Sequence, residues 1–509
     1  MVGIRRMKDD PRFGVDSRWS WITAFFCAWV LFLTMATPRM CGIFFYGIVE
    51  TFGVTRAEAS WPVTLAGTLM VLGGPIGGYL CQRFSCRAVL LVCSSLAGIG
   101  VSLCYLAESL LFLTIFFGIV QGAALCGLYV AANVLLSQHF EKRRATASSL
   151  VYAVFGFDSV LLTPVIEIVR TTYGIRGAFL IYGAILLNLI PAVIVLRSPP
   201  WLMKSRVVVT KDVHKDDALS AACVLIQPLS EKPVLSRDFP YPDKHSDCEQ
   251  MTVSAAKEQA MPLHASSFPC QKSLKLDNVK EAAVKFKLPT VSREFFTSSF
   301  VVHALSFAAI IVSASVFTVI PADLAKDRGL DPSDAVYLLQ AFSAADIAFR
   351  AVAGVVVDSR TLSHESIMLI GYVVQGLSYE WLVYGNTFAQ LVAASVLLGA
   401  TYGSRTCLQA PVLVKDFGID ILPVIMGGVL FCTGVCLLVR PFVIGYFRDT
   451  YGAYVGLLHL MAAMNALLMC VWTLKLITRR RKRKLTMLQK DDNAKLSQAF
   501  KDSNGSTVR

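Results

Sequence analysis

Apolar runs alternate with short polar breaks along most of the chain, and each run is close to the roughly 20 residues that a helix needs to cross a bilayer's hydrocarbon. About twelve such runs emerge, over 20–46, 61–82, 86–107, 110–136, 146–169, 174–196, 295–320, 333–357, 365–384, 387–414, 422–447 and 452–477. Ten-residue segments of alternating polarity, the mark of a membrane barrel, are absent, so helices carry the fold. One interval breaks the rhythm: 197–292 is rich in Lys, Asp, Ser and Pro, has no sustained apolar period, and reads as a disordered loop. It divides the runs six and six. The pattern therefore predicts an all-α integral membrane protein with an N-terminal segment (1–19), a six-helix bundle (20–196), the loop (197–292), a second six-helix bundle (293–477) and a basic tail (478–509).

Composition agrees. A chain of 509 residues that is 55% hydrophobic, only 16% charged and of mean hydropathy +0.58 is not a soluble two-domain globule. Its formal charge of +13 raises the question of nucleic acid, but the basic residues sit at the ends of runs rather than on a folded basic face with stacking aromatics. Arg5, Arg6, Lys8, Arg12 and Arg18 precede the first run, Arg83 and Arg87 follow the second, Lys142, Arg143 and Arg144 follow the fourth, and "RRRKRK" at 479–484 follows the last. By the positive-inside rule both termini and the long loop are cytoplasmic, with Arg170, Arg176, Lys326 and Arg328 as the counter-evidence on the far side. Lipid, not nucleic acid, is the expected partner of the basic tail. The first run is too long for a cleavable signal peptide. Of the fourteen cysteines most lie inside runs, without metal spacing, and read as small apolar side chains. The sequon at Asn504 falls in the predicted cytoplasmic tail and is expected to stay unglycosylated.

A few charges lie inside the runs, where each costs roughly 2.5–3.5 kcal/mol at a bilayer centre and so marks a structural or functional need. In "AFSAADIAFRAVAG" (341–354), Asp346 and Arg350 stand one helical turn apart, close enough to pair. The pair is either a latch or a substrate site, in which Arg350 offers a planar fork to a carboxylate and displaces Asp346, a carboxylate that in a dry site then favours its protonated form. Arg39, after Pro38, is either a second anion anchor or a side chain reaching for the outer interface, and as an arginine it cannot release a proton. Any proton coupling must then run through a carboxylate, Asp346 first and Asp158 next. Asp158 and Arg405 lie deep in their runs and are expected to pair across the halves, to help define the substrate, or to pair locally. Tyr402 is a candidate cavity aromatic, and His303 reads as an interior histidine or a proton relay. "GGPIGG" (73–78) and "GGVLFCTG" (427–434) fit close helix approach, not a phosphate cradle, because no strand precedes them and no Lys-Ser or Lys-Thr follows. No metal cluster, nucleophile elbow or cofactor loop is present, so neither an enzyme nor a bound cofactor is expected, a proton being the possible coupling ion.

Two six-run halves joined by a long loop resemble the layout of the major facilitator superfamily, whose substrate site lies near the midplane between halves. "GGYLCQRFSCR" (77–87), with Arg83 and Arg87, is similar to that superfamily's loop motif, with Gln82 in place of the usual acid; "GVVVDSR" (354–360) is its counterpart and keeps Asp358. The resemblance implies that these residues, with Lys142, Arg143 and Arg144, belong to gates. Further motifs resemble the monocarboxylate transporter family: "DSRWSW" from Asp16, "HFEKRRATASSLVYAVFG" from His139, "YGIRGAF" from Tyr173 and "RPFVIGYFRDTYGAY" from Arg440. The resemblance implies that Asp346 and Arg350 handle substrate and proton and that Arg39 takes the place of a helix-1 lysine; Arg405 and Tyr402 match no motif of that family and are substrate-site candidates by their place inside a run alone. It also implies proton-coupled transport of a small monocarboxylate or related organic anion across the plasma membrane, with a single-span immunoglobulin-like ancillary glycoprotein as a partner. The alternatives are a facilitative carrier of amino acids or other aromatic carboxylates, and a non-transporting receptor or scaffold.

Overall fold

The computed structural model describes residues 10–199, 293–329 and 335–505, so that the loop from 200 to 292 and the extreme termini lie outside the described residues. Among the described residues no strand occurs. The first half comprises α1 (Arg18–Arg39), α2 (Cys41–Phe52), α3 (Arg56–Leu72), α4 (Gly74–Arg83), α5 (Cys86–Leu103), α6 (Leu110–His139), α7 (Arg144–Gly156), α8 (Asp158–Leu187) and α9 (Leu189–Val195). The second comprises α10 (Ser298–Phe317), α11 (Pro321–Asp327), α12 (Ala335–Asp358), α13 (His364–Tyr384), α14 (Phe388–Thr406), α15 (Gln409–Phe417), α16 (Leu422–Tyr451) and α17 (Val455–Gly505).

Ten helical stretches are long and apolar enough to cross a membrane, and α3 and α4, bent by 52° at Gly73, make an eleventh crossing together. One of the ten, Arg144–Val195, is 52 residues long and reverses at Gly174, whose φ of 73° is open to glycine at little cost. That turn yields two crossings, and the expected six-plus-six architecture is complete. Helix starts follow the local chemistry: Ser17, Ser85, Thr297 and Ser363 cap α1, α5, α10 and α13, and Thr55 with Glu58 forms a capping box at α3. Apolar side chains face both ways. Leu31, Phe44, Phe117, Tyr182 and Phe317 are sealed inside, whereas Phe25, Leu111, Ile168 and Phe442 are exposed on the perimeter, as a lipid-solvated bundle requires.

The two halves meet along helices that begin or end on the face bearing Arg18, Arg83, Arg144 and Asp358, here termed the terminal face. There α7 runs antiparallel to α12, and the missing side chain of Gly354 lets it rest on α7: a Cβ would lie 2.1 Å from the Ala145 carbonyl oxygen. On the other side of the molecule a Cβ on Gly74 of α4 would lie 2.2 Å from the carbonyl oxygen of Gly427 in α16. Polar contacts finish the seam. The Asp358 carboxylate accepts from the Thr146 N–H at 2.7 Å at the start of α7, and Gln82 donates to the Asp420 carbonyl at 3.2 Å. Gln82 thus bridges the halves by a hydrogen bond where an acid would have offered a charge.

Candidate functional site

Helix α12 places Asp346 and Arg350 on one face, and α14 approaches it closely because Gly399 and Gly403 lack side chains; a Cβ on Gly403 would lie 2.3 Å from the Asp346 carbonyl oxygen. The pair closes as a fork. Arg350 Nε reaches Asp346 Oδ1 at 2.6 Å and Nη2 reaches Oδ2 at 2.7 Å, both side chains being almost fully buried. The third nitrogen leaves its own half: Nη1 donates to the Tyr152 carbonyl of α7 at 3.2 Å. Phe155 and Tyr402 flank the guanidinium, with ring centroids 4.6 Å and 5.5 Å from its central carbon, and Tyr402 stacks on Phe342 at 5.8 Å. Arg350 is therefore a buried cation at the junction of the halves, compensated by one carboxylate, one carbonyl and two aromatic faces.

Below it, toward the terminal face, the hydroxyls of Tyr129 and Tyr152 lie 2.8 Å apart; Tyr152 donates to Asn133 Oδ1 at 3.1 Å and Tyr129 to Gln409 Oε1 of the other half at 3.3 Å. Two hydroxyl protons serve three short contacts. Above it, Arg39 holds Asp158 at 3.2 Å, with Asp158 fully buried and the Arg39 side chain about a third exposed at 31%. Both belong to the first half, yet Arg39 lies within electrostatic reach of Asp346 and Tyr402. The structure thus brings Asp346, Arg350 and Tyr402 together and sets the Arg39–Asp158 pair across from them.

Of the alternatives for Asp158 and Arg405, the pair across the halves is not formed, and each finds its partners within its own half. Asp158 is taken by Arg39, and Arg405 turns into the interior of the second bundle, where Nη2 bonds Gln375 Oε1 at 2.6 Å and Nε bonds the Thr401 carbonyl at 2.8 Å. Gly371 makes that turn possible, since a Cβ there would lie 2.5 Å from Arg405 Cδ. His303 sits in a charge cluster near the terminal face: Asp416 Oδ2 is 2.8 Å from both His303 Nε2 and Lys475 Nζ, Arg479 bonds Asp416 and Glu365, and Lys415 bonds Glu365 at 2.7 Å.

Of the loop residues, Arg83, Lys142 and Arg143 are exposed, Arg87 donates to the Ile194 carbonyl at 2.8 Å, and Arg144 Nε donates to the Ser137 carbonyl at 3.1 Å. Sequence reasoning missed the role of Asp16, whose carboxylate accepts from the backbone N–H groups of Glu141, Lys142 and Arg143 at 3.3, 2.9 and 3.1 Å. The two motifs "DSRWSW" and "HFEKRR" are thereby one structural unit. Tyr129, Asn133, Tyr152, Phe155 and Gln409 were missed as well; polar positions inside apolar runs were the available signal for most of them.

Comparison with known proteins follows the same lines. The family model described as Major Facilitator Superfamily matches residues 21–221 and 302–503. Monocarboxylate transporter 12 of Mus musculus is 24% identical over 441 residues, covering 86% of this chain and 82% of that one. The Xenopus laevis protein of that name is 26% identical over 442 residues, covering 86% and 85%, and monocarboxylate transporter 4 of Gallus gallus is 24% identical over 441 residues, covering 85% and 78%. Among solved structures, the proton:xylose symporter XylE bound to 6-bromo-6-deoxy-D-glucose superposes with a TM-score of 0.63 at 12% identity, over 89% of this chain and 94% of that one. FucP in the outward conformation superposes with a TM-score of 0.60 at 13% identity, over 89% and 98%.

Proposed function

Since this chain belongs to the major facilitator superfamily of membrane transporters, we propose that it carries a small monocarboxylate or related organic anion across the plasma membrane together with a proton, both termini being cytoplasmic. The observation that carries this reading is the buried Arg350–Asp346 fork at the junction of the halves. A substrate carboxylate matches the geometry that Asp346 now occupies and competes for the same two N–H groups. Freed from its partner in a site out of water, Asp346 favours its protonated form, so that anion and proton enter together and the site's net charge is conserved. Arg39 is the second anion anchor, Asp158 its resting counter-ion and second candidate proton acceptor, and Tyr402 with Phe155 the apolar wall against the substrate's body. Relatives named monocarboxylate transporters support the substrate class. The seam supports alternating access: the halves are joined from the terminal face to the level of Arg350, as expected of a carrier closed on that side.

A facilitative carrier of amino acids or other aromatic carboxylates is the second reading, favoured by Arg39, which cannot release a proton, and by the ring-lined site. A receptor or scaffold that moves nothing is the reading from another class, and a single-span immunoglobulin-like glycoprotein is a proposed partner on resemblance alone. Uptake of a carboxylate panel into proteoliposomes, with and without an inward proton gradient, separates them. Gradient-stimulated uptake that Arg350→Ala abolishes supports the coupled carrier, gradient-independent uptake supports the facilitative one, and no uptake of any carboxylate leaves only the receptor.

A further inference from the structure

The second bundle holds a cation for which the transport site has no use. Arg405 is completely buried, its charge is permanent, and among the described residues no carboxylate pairs with it. The carboxylates of its own half are committed elsewhere: Asp346 to Arg350, and Glu365 and Asp416 to Lys415, Lys475 and Arg479 near the terminal face. Two of its nitrogens are satisfied by the neutral acceptors Gln375 and Thr401, and Tyr372 covers the guanidinium with its ring at 4.6 Å and engages it through its hydroxyl, but Nη1 makes no well-formed hydrogen bond. An unmet charged donor deep in a membrane bundle is strongly disfavoured. The surroundings are built around it, because Gly371 is what admits the arginine stem.

A second unmet group lies on α10, which packs against α14. Tyr379 bonds the Ser313 carbonyl at 2.8 Å and lies in the field of Arg405, while the Ser313 hydroxyl, fully buried, has no partner of its own. Asn465, also fully buried, keeps Nδ2 on the Met461 carbonyl at 2.7 Å and leaves Oδ1 unmet, an acceptor for a companion water. Helices α10, α13, α14 and α17 thus contribute to a polar interior with one positive charge that no carboxylate among the described residues offsets and two donors, Arg405 Nη1–H and Ser313 O–H, in want of an acceptor. We propose that this interior is a structural site for a small inorganic anion of the halide class, distinct from the Arg350–Asp346 fork, which neutralises Arg405 and ties the four helices together. A carboxylate substrate is not the expected occupant, since Arg405 turns into the interior of the second bundle and away from the junction of the halves at Arg350.

Chloride and bromide are the probes, on purified full-length protein, and the readout is thermal unfolding and not transport, so the result is independent of the carrier hypothesis. Replacing gluconate by either halide at equal ionic strength is expected to raise the melting temperature by about 2 °C in a saturating manner. The rise should vanish in Arg405→Gln and shrink in Ser313→Ala. Equal melting temperatures in halide and gluconate, or an unchanged halide effect in Arg405→Gln, overturns the proposal. If Arg405→Gln fails to fold, crystals grown in bromide decide it: an anomalous peak within hydrogen-bonding distance of Arg405 Nη1 supports the site, and a water or nothing there overturns it.

Discussion

Arg350 combines a long reach with a flat, two-pronged donor, and its use in the site depends on that shape more than on its charge. A lysine keeps the charge but offers a single point donor on a flexible stem. Arg350→Lys is therefore expected to lower carboxylate uptake by at least tenfold while surface protein, followed by biotinylation, stays near normal. Asp158 behaves differently. Asp158→Asn removes the resting partner of Arg39 and leaves a cation over the site, so anion affinity should rise and the proton dependence of uptake should weaken; uptake kinetics at two external pH values check both. The difference between these residues also explains what sequence could reveal. Asp346 and Arg350 are one turn apart on a single helix, and their pairing follows from the helical repeat. Arg39 and Asp158 come from different helices whose juxtaposition is set by packing, and no local pattern announces it. The orientation of Arg405 was hidden for the same reason: its depth in a run was legible, but which of its alternatives it would take was decided by Gly371 on α13, which admits its stem.

At the scale of elements, the seam between α7 and α12 is set by small residues and broken helices. The step between α14 and α15 falls at Cys407 and Leu408, and there the Ser148 hydroxyl donates to the Cys407 carbonyl at 2.8 Å, so the broken helix of one half is read by an intact helix of the other. Gly354→Leu places a branched side chain where a Cβ already meets backbone, which costs about 1–3 kcal/mol of overpacking in this arrangement and nothing in one where the halves part. The expected outcome is a population shifted toward a carrier open at the terminal face, measured as faster modification of a cysteine placed at Ser148 by a small membrane-permeant thiol reagent. The runs and breaks that made twelve crossings were visible in the sequence, as were the capping serines. The turn at Gly174 and the bend at Gly73 were visible only as glycines, because a glycine's backbone angle is fixed by its surroundings.

For the whole molecule, the charge distribution separates a wet terminal face from a dry middle. Lys475, Arg479 and Lys415 pair with Asp416 and Glu365 where α13, α15 and α17 meet, leaving one positive charge in excess, and Asp16 clamps the loop that leads into α7. The topology drawn from these charges is directly checkable: the native sequon at Asn504 should remain unmodified in a glycosylating cell, whereas a sequon engineered into the Asp327–Gly329 turn on the opposite face should be used, as a mobility shift sensitive to glycosidase would report.

The tyrosine pair under the site bears on how such a molecule can switch at all. With the halves together, the two hydroxyl protons are shared among three short contacts: Tyr129 to Gln409, Tyr152 to Asn133, and the 2.8 Å contact between the hydroxyls, in which either can donate. If Gln409 withdraws with α15, the Tyr129 proton still has the Tyr152 hydroxyl as an acceptor. On the tyrosine side, therefore, parting the halves need not strand a hydroxyl proton, because the acceptor that replaces Gln409 is already in place 2.8 Å away.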